Sequence, residues 1–220
     1  ALNGRNKSDL NDATARIPNS IGIPGDVSND IEAKQIVEKS ILQLGELDYI
    51  ICNVGSGKSS APGDEKSQDW RDMMAINFYS VTNIVDSFQQ VVKSKKKNLS
   101  IVCISSICGL EVIPDAPVTY SVAKAALNAY VKGISRPLGK KGIRINAIAP
   151  GNINFEGSTW SKKINKNPEL ISNMIKREVP LNRFGKTNEI ACLVGYLLSE
   201  FSDFVTGSVW EIDGGQTRFI

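Results

Sequence analysis

Tyr120-Ser121-Val122-Ala123-Lys124 sets a phenol and an ammonium four residues apart in a strongly helical run, Tyr120 to Leu138. A helix turns every 3.6 residues, so the two side chains share one face. A free phenol has a pKa of about 10 and is a poor base at neutral pH. A positive charge ~4 Å away, in an effective dielectric of ~20, favours phenolate by roughly 4 kcal/mol, or about three pKa units. Such a pair could give and take a proton near pH 7. The same spacing also occurs in ordinary exposed Tyr/Lys helix pairs, so the chemistry depends on what surrounds it.

The elements that would position the pair can be read on either side of it. The apolar run Leu99 to Ser106 predicts a buried strand with Ser105-Ser106 at its carboxyl end, the edge where open α/β sheets bind ligands. Ile143 to Ala149 predicts the next strand and runs into Pro150-Gly151. Leu47 to Cys52 predicts another, followed by Asn53-Val54-Gly55, and a long helix from Ser67 to Val92 carries Asn77. Towards the start, Ala1 to Asn6 reads as a strand end and turn, and Ser20 to Val27 as a short strand containing Asp26. Ser28 is a plausible cap for an apolar-striped helix that stops at Gly45. Pro168 suits the first turn of a short helix to about Arg177, before a helix over 187–199 and a strand over 208–212. Strands and helices alternate throughout. The expected architecture is α/β, a Rossmann-type doubly wound parallel sheet with helices on both faces, as one domain over 1–220.

The order strand, Ser106, Tyr120-x-x-x-Lys124, helix, strand, Pro150-Gly151 resembles the short-chain dehydrogenase/reductase family, near members of the 3-oxoacyl-carrier-protein reductase type. Asn53-Val54-Gly55, Asn77, Asp26-Val27 and Asp213-Gly214-Gly215 extend the resemblance over nearly the whole chain. It implies NAD(P)-dependent hydride transfer between a nicotinamide cofactor and a small carbonyl/alcohol substrate. Tyr120 would be the general acid/base, and Lys124 would lower its pKa and hold the nicotinamide ribose. Ser106 would donate to the substrate oxygen, and Asn77 would support a water leading protons to Lys124. Pro150, Gly151 and Ile153 would line the nicotinamide, Asn53 and Gly55 the adenosine ribose side, and Asp26 and Val27 the adenine. NAD-preferring relatives carry a carboxylate where Gly4 and then Arg5 stand; a guanidinium there suits a 2′-phosphate, so NADP is expected over NAD. Relatives pair through the Tyr120 helix, whose apolar residues from Ala125 to Val131 go nearly all round it, so a homotetramer or homodimer is expected. Residues 152–180 would form a substrate lid, and their mix of Phe155 and Trp160 with Lys162, Lys163, Lys166 and Lys176 suits an anionic or carrier-bound substrate. The departures are Asn154, where the family often has Thr, and the lack of a G-x-x-x-G-x-G turn. The second implies an upstream strand, turn and helix of about 30 residues.

Composition narrows the alternatives. The 220 residues carry 26 basic and 23 acidic side chains, a balance that asks for neither nucleic acid nor an anionic membrane. The basic run Lys93 to Lys97 reads as a solvated connection, and no apolar run reaches membrane-span length. There is no histidine, which excludes Ser-His-Asp and Cys-His catalysis and argues against a metal site. Cys52, Cys103, Cys108 and Cys192 show no C-x-x-C spacing and suit a reducing, cytoplasmic setting. Gly57-Lys58-Ser59 after a strand touches on a P-loop NTPase, but residue 52 would have to be glycine and no helix follows directly. The other alternative is a catalytically silent nucleotide-binding regulator, against which the set Asn77, Ser106, Tyr120 and Lys124 argues.

Overall fold

The computed structural model describes residues 1–91 and 99–218, so the basic run at 93–97 lies outside the described residues. Strands β4 (Leu99–Ile104) and β5 (Ile143–Pro150) are buried along nearly their whole length. An unbroken apolar strand needs cover on both faces, which is the environment of an interior parallel strand. The two pair in parallel, Ile101 opposite Ile145. Strand β3 (Tyr49–Cys52) flanks β4 and β6 (Val209–Ile212) flanks β5, giving the order β3-β4-β5-β6. Strands β1 (Leu2–Gly4) and β2 (Gly22–Pro24) form a second, two-stranded parallel sheet. The sequence predicts one sheet; the strands instead form two. Ala1–Asn3 and Tyr49–Val54 line a cavity of about 680 Å³ between them, and Tyr49 and Ile51 are each 51% exposed.

Helices α2 (Asp30–Leu44), α4 (Ser80–Val91) and α5 (Val118–Gly139) cover one face of the four-stranded sheet. Ile36, Val85, Phe88, Leu127 and Val131 pack there with Ile101, Cys103 and Ile145. Full burial of each such side chain contributes roughly 1.5–3 kcal/mol. On the other face, Leu197 of α8 (Thr187–Leu198) packs on Val102 and Ile148. The alternation of β4 residues between the two cores is the period-two rule of a strand.

The long helix expected from Ser67 is interrupted. Helices α3 (Ser67–Met74) and α4 are joined by a widened π turn, Ala75–Tyr79, in which the Ser80 N–H reaches back to the Ala75 carbonyl. Single π turns of this kind concentrate at functional sites. Two helices lack a sequence signal: α1 (Lys7–Arg16), which buries only Leu10, and α6 (Thr159–Lys166), which buries nothing fully. Helix α6 and the expected α7 (Pro168–Glu178) occupy most of the 152–180 region.

Candidate active site

Ser106 stands two residues past the end of the buried strand β4 and caps the short turn Ile107–Gly109, its Oγ accepting the Cys108 N–H at 3.2 Å. Gly109 presses this turn onto α5: a Cβ there would lie 2.6 Å from the Lys124 carbonyl carbon. Asn128 locks the contact, donating to the Gly109 carbonyl at 3.1 Å and accepting from the Ser105 hydroxyl at 2.6 Å. Tyr120, Lys124 and Asn128 follow one another at i, i+4 and i+8 on α5, so one helix face carries all three. Sequence reasoning missed Gly109 and Asn128. Asn128 carried a usable signal, because it continues the Tyr120–Lys124 face by one turn.

Lys124 is 3% exposed, and its Nζ donates to the Ile104 carbonyl at 2.8 Å. The ammonium stands 5.8 Å from the Tyr120 ring centroid. Burial lowers the Lys124 pKa to about 8, against the opposing pull of the neighbouring thiols. Burial likewise pushes the Tyr120 phenol up to about 12, opposed by a hydrogen bond from Ser106 and reinforced by Cys108. The expected depression of the Tyr120 pKa by Lys124 is therefore corrected. Removing the phenol from water outweighs the charge, and the ammonium sits over the ring and serves a backbone carbonyl.

Asn77 is fully buried in the π turn. Its Oδ1 accepts from the Ser56 N–H and its Nδ2 donates to the Ser56 carbonyl, both at 3.0 Å, with a further bond to the Met73 carbonyl at 3.1 Å. The side chain is committed to clamping the loop after β3. The clamp brings Gly55 against both residues: a Cβ there would lie 2.9 Å from Asn77 Oδ1 and 3.3 Å from Lys124 Nζ. The Gly57-Lys58-Ser59 segment runs in the same loop, Ser59 bonding Thr119 at 2.7 Å, and the next helix begins only at Ser67. It is a wall of the site and lacks the helix a P-loop requires.

The other expected binding residues gather at the carboxyl ends of the strands. Asn53 is exposed after β3, and Pro150 closes β5. Gly151 lies so close to Asp213 that a Cβ would sit 2.7 Å from its side chain. Ile153 bridges to Gly185. Val27 is buried in the core beside Ile36, so its side chain offers nothing to an adenine. Arg5 follows β1 and lies 3.5 Å from the Asp26 carboxylate. Burial works to raise the Asp26 pKa, but bonds from Ser28 and the Arg5 charge outweigh it and hold it below the usual range.

Ser106, Cys108, Tyr120 and Gly151 line a cavity of about 820 Å³ together with residues of helices α6 and α7. The arrangement can hold a carbonyl against two hydroxyls. A nicotinamide ribose also fits. Lys124 is buried with two donors that have no partner among the described residues, and the missing Cβ of Gly55 leaves the space in front of them open.

The chain has many known relatives. A family model described as enoyl-(acyl carrier protein) reductase matches residues 1–217. The 3-oxoacyl-[acyl-carrier-protein] reductase FabG of Thermotoga maritima is 32% identical, over 88% of this chain and 78% of that protein. A glucose 1-dehydrogenase of Gluconobacter oxydans is 30% identical, over 100% of this chain and 82% of its own length. Among solved structures, an NADPH-bound short-chain oxidoreductase of Pseudomonas aeruginosa, described as having an atypical catalytic center, superposes with a TM-score of 0.89. It is 24% identical, over 99% of this chain and 86% of that one. An NAD+-bound xylitol dehydrogenase gives a TM-score of 0.86 at 25% identity, over 97% and 87%.

Proposed function

The chain belongs to the short-chain dehydrogenase/reductase family of NAD(P)-dependent oxidoreductases, and from that premise we propose that it interconverts a small carbonyl compound and its alcohol with Tyr120 as the proton donor. The observation that carries this reading is the convergence of Ser106 and Tyr120 on one cavity, with the Lys124 ammonium 5.8 Å from the Tyr120 ring centroid. A bound nicotinamide supplies the hydride. Tyr120 is protonated at neutral pH, so it stands ready to give its proton to the carbonyl oxygen in reduction, and it takes one back in oxidation. Ser106 donates to the same oxygen, where negative charge develops. Lys124 holds the nicotinamide ribose through its two remaining donors, with Pro150, Gly151 and Ile153 beside the ring. Asn53 and Gly55 take the adenosine ribose side, and Asp26 lies by the adenine.

NADP is the preferred cofactor. Support comes from Arg5, whose side chain is 67% exposed beside Gly4 and whose pairing with Asp26 is long enough for a 2′-phosphate to displace. A homotetramer or homodimer is supported by an exposed apolar stripe on α5, formed by Val118, Val122, Ala125 and Ala129. Four cysteines without disulfide partners favour a cytoplasmic setting. The substrate is anionic or carrier-bound, a reading supported by the lysines of the lid. Steady-state kinetics on a panel of ketones and aldehydes with NADPH and NADH test this function. Turnover with higher kcat/KM for NADPH, reduced by Arg5→Ala, is expected; equal or better efficiency with NADH contradicts the cofactor preference.

A further inference from the structure

The wall of the 820 Å³ cavity that α6 and α7 supply carries a second polar centre besides Ser106 and Tyr120, and the apolar Ile107, Ile113 and Pro114 line the same cavity. Trp160, Lys163 and Lys166 stand three residues apart on α6, which puts them along one helix face, and all three line the cavity. The Lys163 ammonium lies 4.7 Å over the Trp160 ring, and that ring packs 5.4 Å from Phe184. A cation held on an indole is directed along the cavity wall, where a free lysine would extend into solvent. Helix α7 starts at the same place: Asn167 caps it by accepting the Leu170 N–H at 3.2 Å, and both residues line the cavity. Asn167 is also the C-cap of α6, so the dipoles of the two helices offset there, and the net charge is that of the two ammonium groups beside the first turn of α7.

The charges of the cavity do not cancel. Arg177 is paired with Glu178 at 2.6 Å, and Glu178 also takes Arg218 at 3.7 Å. Asp115, on the facing loop, is the other cavity-lining carboxylate. Lys163 and Lys166 make no ion pair among the described residues. Lysines in a last helical turn also stabilise the helix end. That role needs neither an indole under the ammonium nor a cavity beside it.

We propose that Lys163 and Lys166, with the first turn of α7, form a subsite for an anionic group, carboxylate or phosphate, at the far end of the carbonyl substrate. The inference rests on the hydride-transfer reading and sharpens it. The substrate carries its carbonyl at the Ser106–Tyr120 end, an apolar stretch past Ile113 and Pro114, and its charge under the lid.

Three ketones with one carbonyl environment test it: 5-oxohexanoate, 5-oxohexyl phosphate and the neutral 5-oxohexanamide, each reduced with NADPH. The expected result is a kcat/KM at least about tenfold higher for an anionic ketone than for the amide, carried by KM and eroded by added NaCl. The better of the two anions identifies the head group. In Lys163→Gln/Lys166→Gln the ratio of anion to amide should fall to about one. Both side chains are exposed, so the variant keeps its fold. Equal efficiency for anion and amide in the wild type, or an undiminished ratio in the double variant, overturns the subsite. If none of the ketones is turned over, the hydride-transfer reading has failed for this class. Calorimetric titration of the enzyme with 5-oxohexanoate and the amide then still decides: tighter binding of the anion supports the subsite, and equal or no binding overturns it.

Discussion

At the scale of single residues, the pair Tyr120 and Lys124 shows what a helix spacing reveals and what it conceals. The types and their order were legible because four residues make one turn. The sign of the pKa shift was not, because burial cannot be read from spacing, and desolvation moved the phenol up and the ammonium down. The Lys124 shift has a consequence for stability. Its folded pKa of about 8 lies below the ordinary value of 10.5, so between these limits the unfolded chain binds more protons and stability rises with pH. The penalty for burying the charge is fully present below pH 8 and gone above the unfolded value. Denaturant titrations of wild type and Lys124→Met should therefore diverge, the wild type gaining about 2 kcal/mol relative to the variant between pH 8 and 10. Parallel stability curves would show that Lys124 is not buried as a cation. Tyr120, with its folded pKa raised, acts in the opposite sense, but only above about pH 10.

At the scale of elements, the catalytic groups are placed by two close backbone contacts. One is Gly109 against α5 at Lys124, which fixes the height of Ser106 relative to Tyr120. The other is the Asn77 clamp on Ser56, made possible by the π turn between α3 and α4. Neither was legible beforehand. A π turn leaves no periodic trace in a sequence, and a glycine reveals a close approach only once its neighbour across space is known. Asn77 was picked out as a site residue, but its partner Ser56 was not, because the contact spans 21 residues. Gly109→Ala must push the Ile107–Gly109 turn off the helix. Overpacking of this kind costs typically about 1–3 kcal/mol. The expected outcome is that loss of stability together with a fall in kcat larger than any change in cofactor KM, read from denaturant unfolding and steady-state kinetics. A variant with unchanged kcat would mean that Ser106 does not need this contact.

At the scale of the whole molecule, the α/β class, the parallel strands and helix α7 followed from hydrophobic periodicity and from the position of Pro168. Strands β4 and β5 were read within a residue or two because an apolar run bounded by turn residues has few other meanings. The division into two sheets was not read, because strand neighbours are set by packing across space. The same limit hid the cavity, in which the segments that follow β4 and β5 meet the first turn of α5 and helices α6 and α7. In the proposed reaction Tyr120 passes a proton to a carbonyl held in this cavity while a bound nicotinamide supplies the hydride. The most direct test of this step is NADPH-dependent ketone reduction by wild type and Tyr120→Phe, with cofactor affinity measured alongside by fluorescence. One hydroxyl is lost from a half-buried ring, so the fold and cofactor binding should persist while turnover falls about 10²–10⁴-fold. Near-normal turnover by Tyr120→Phe would contradict the account.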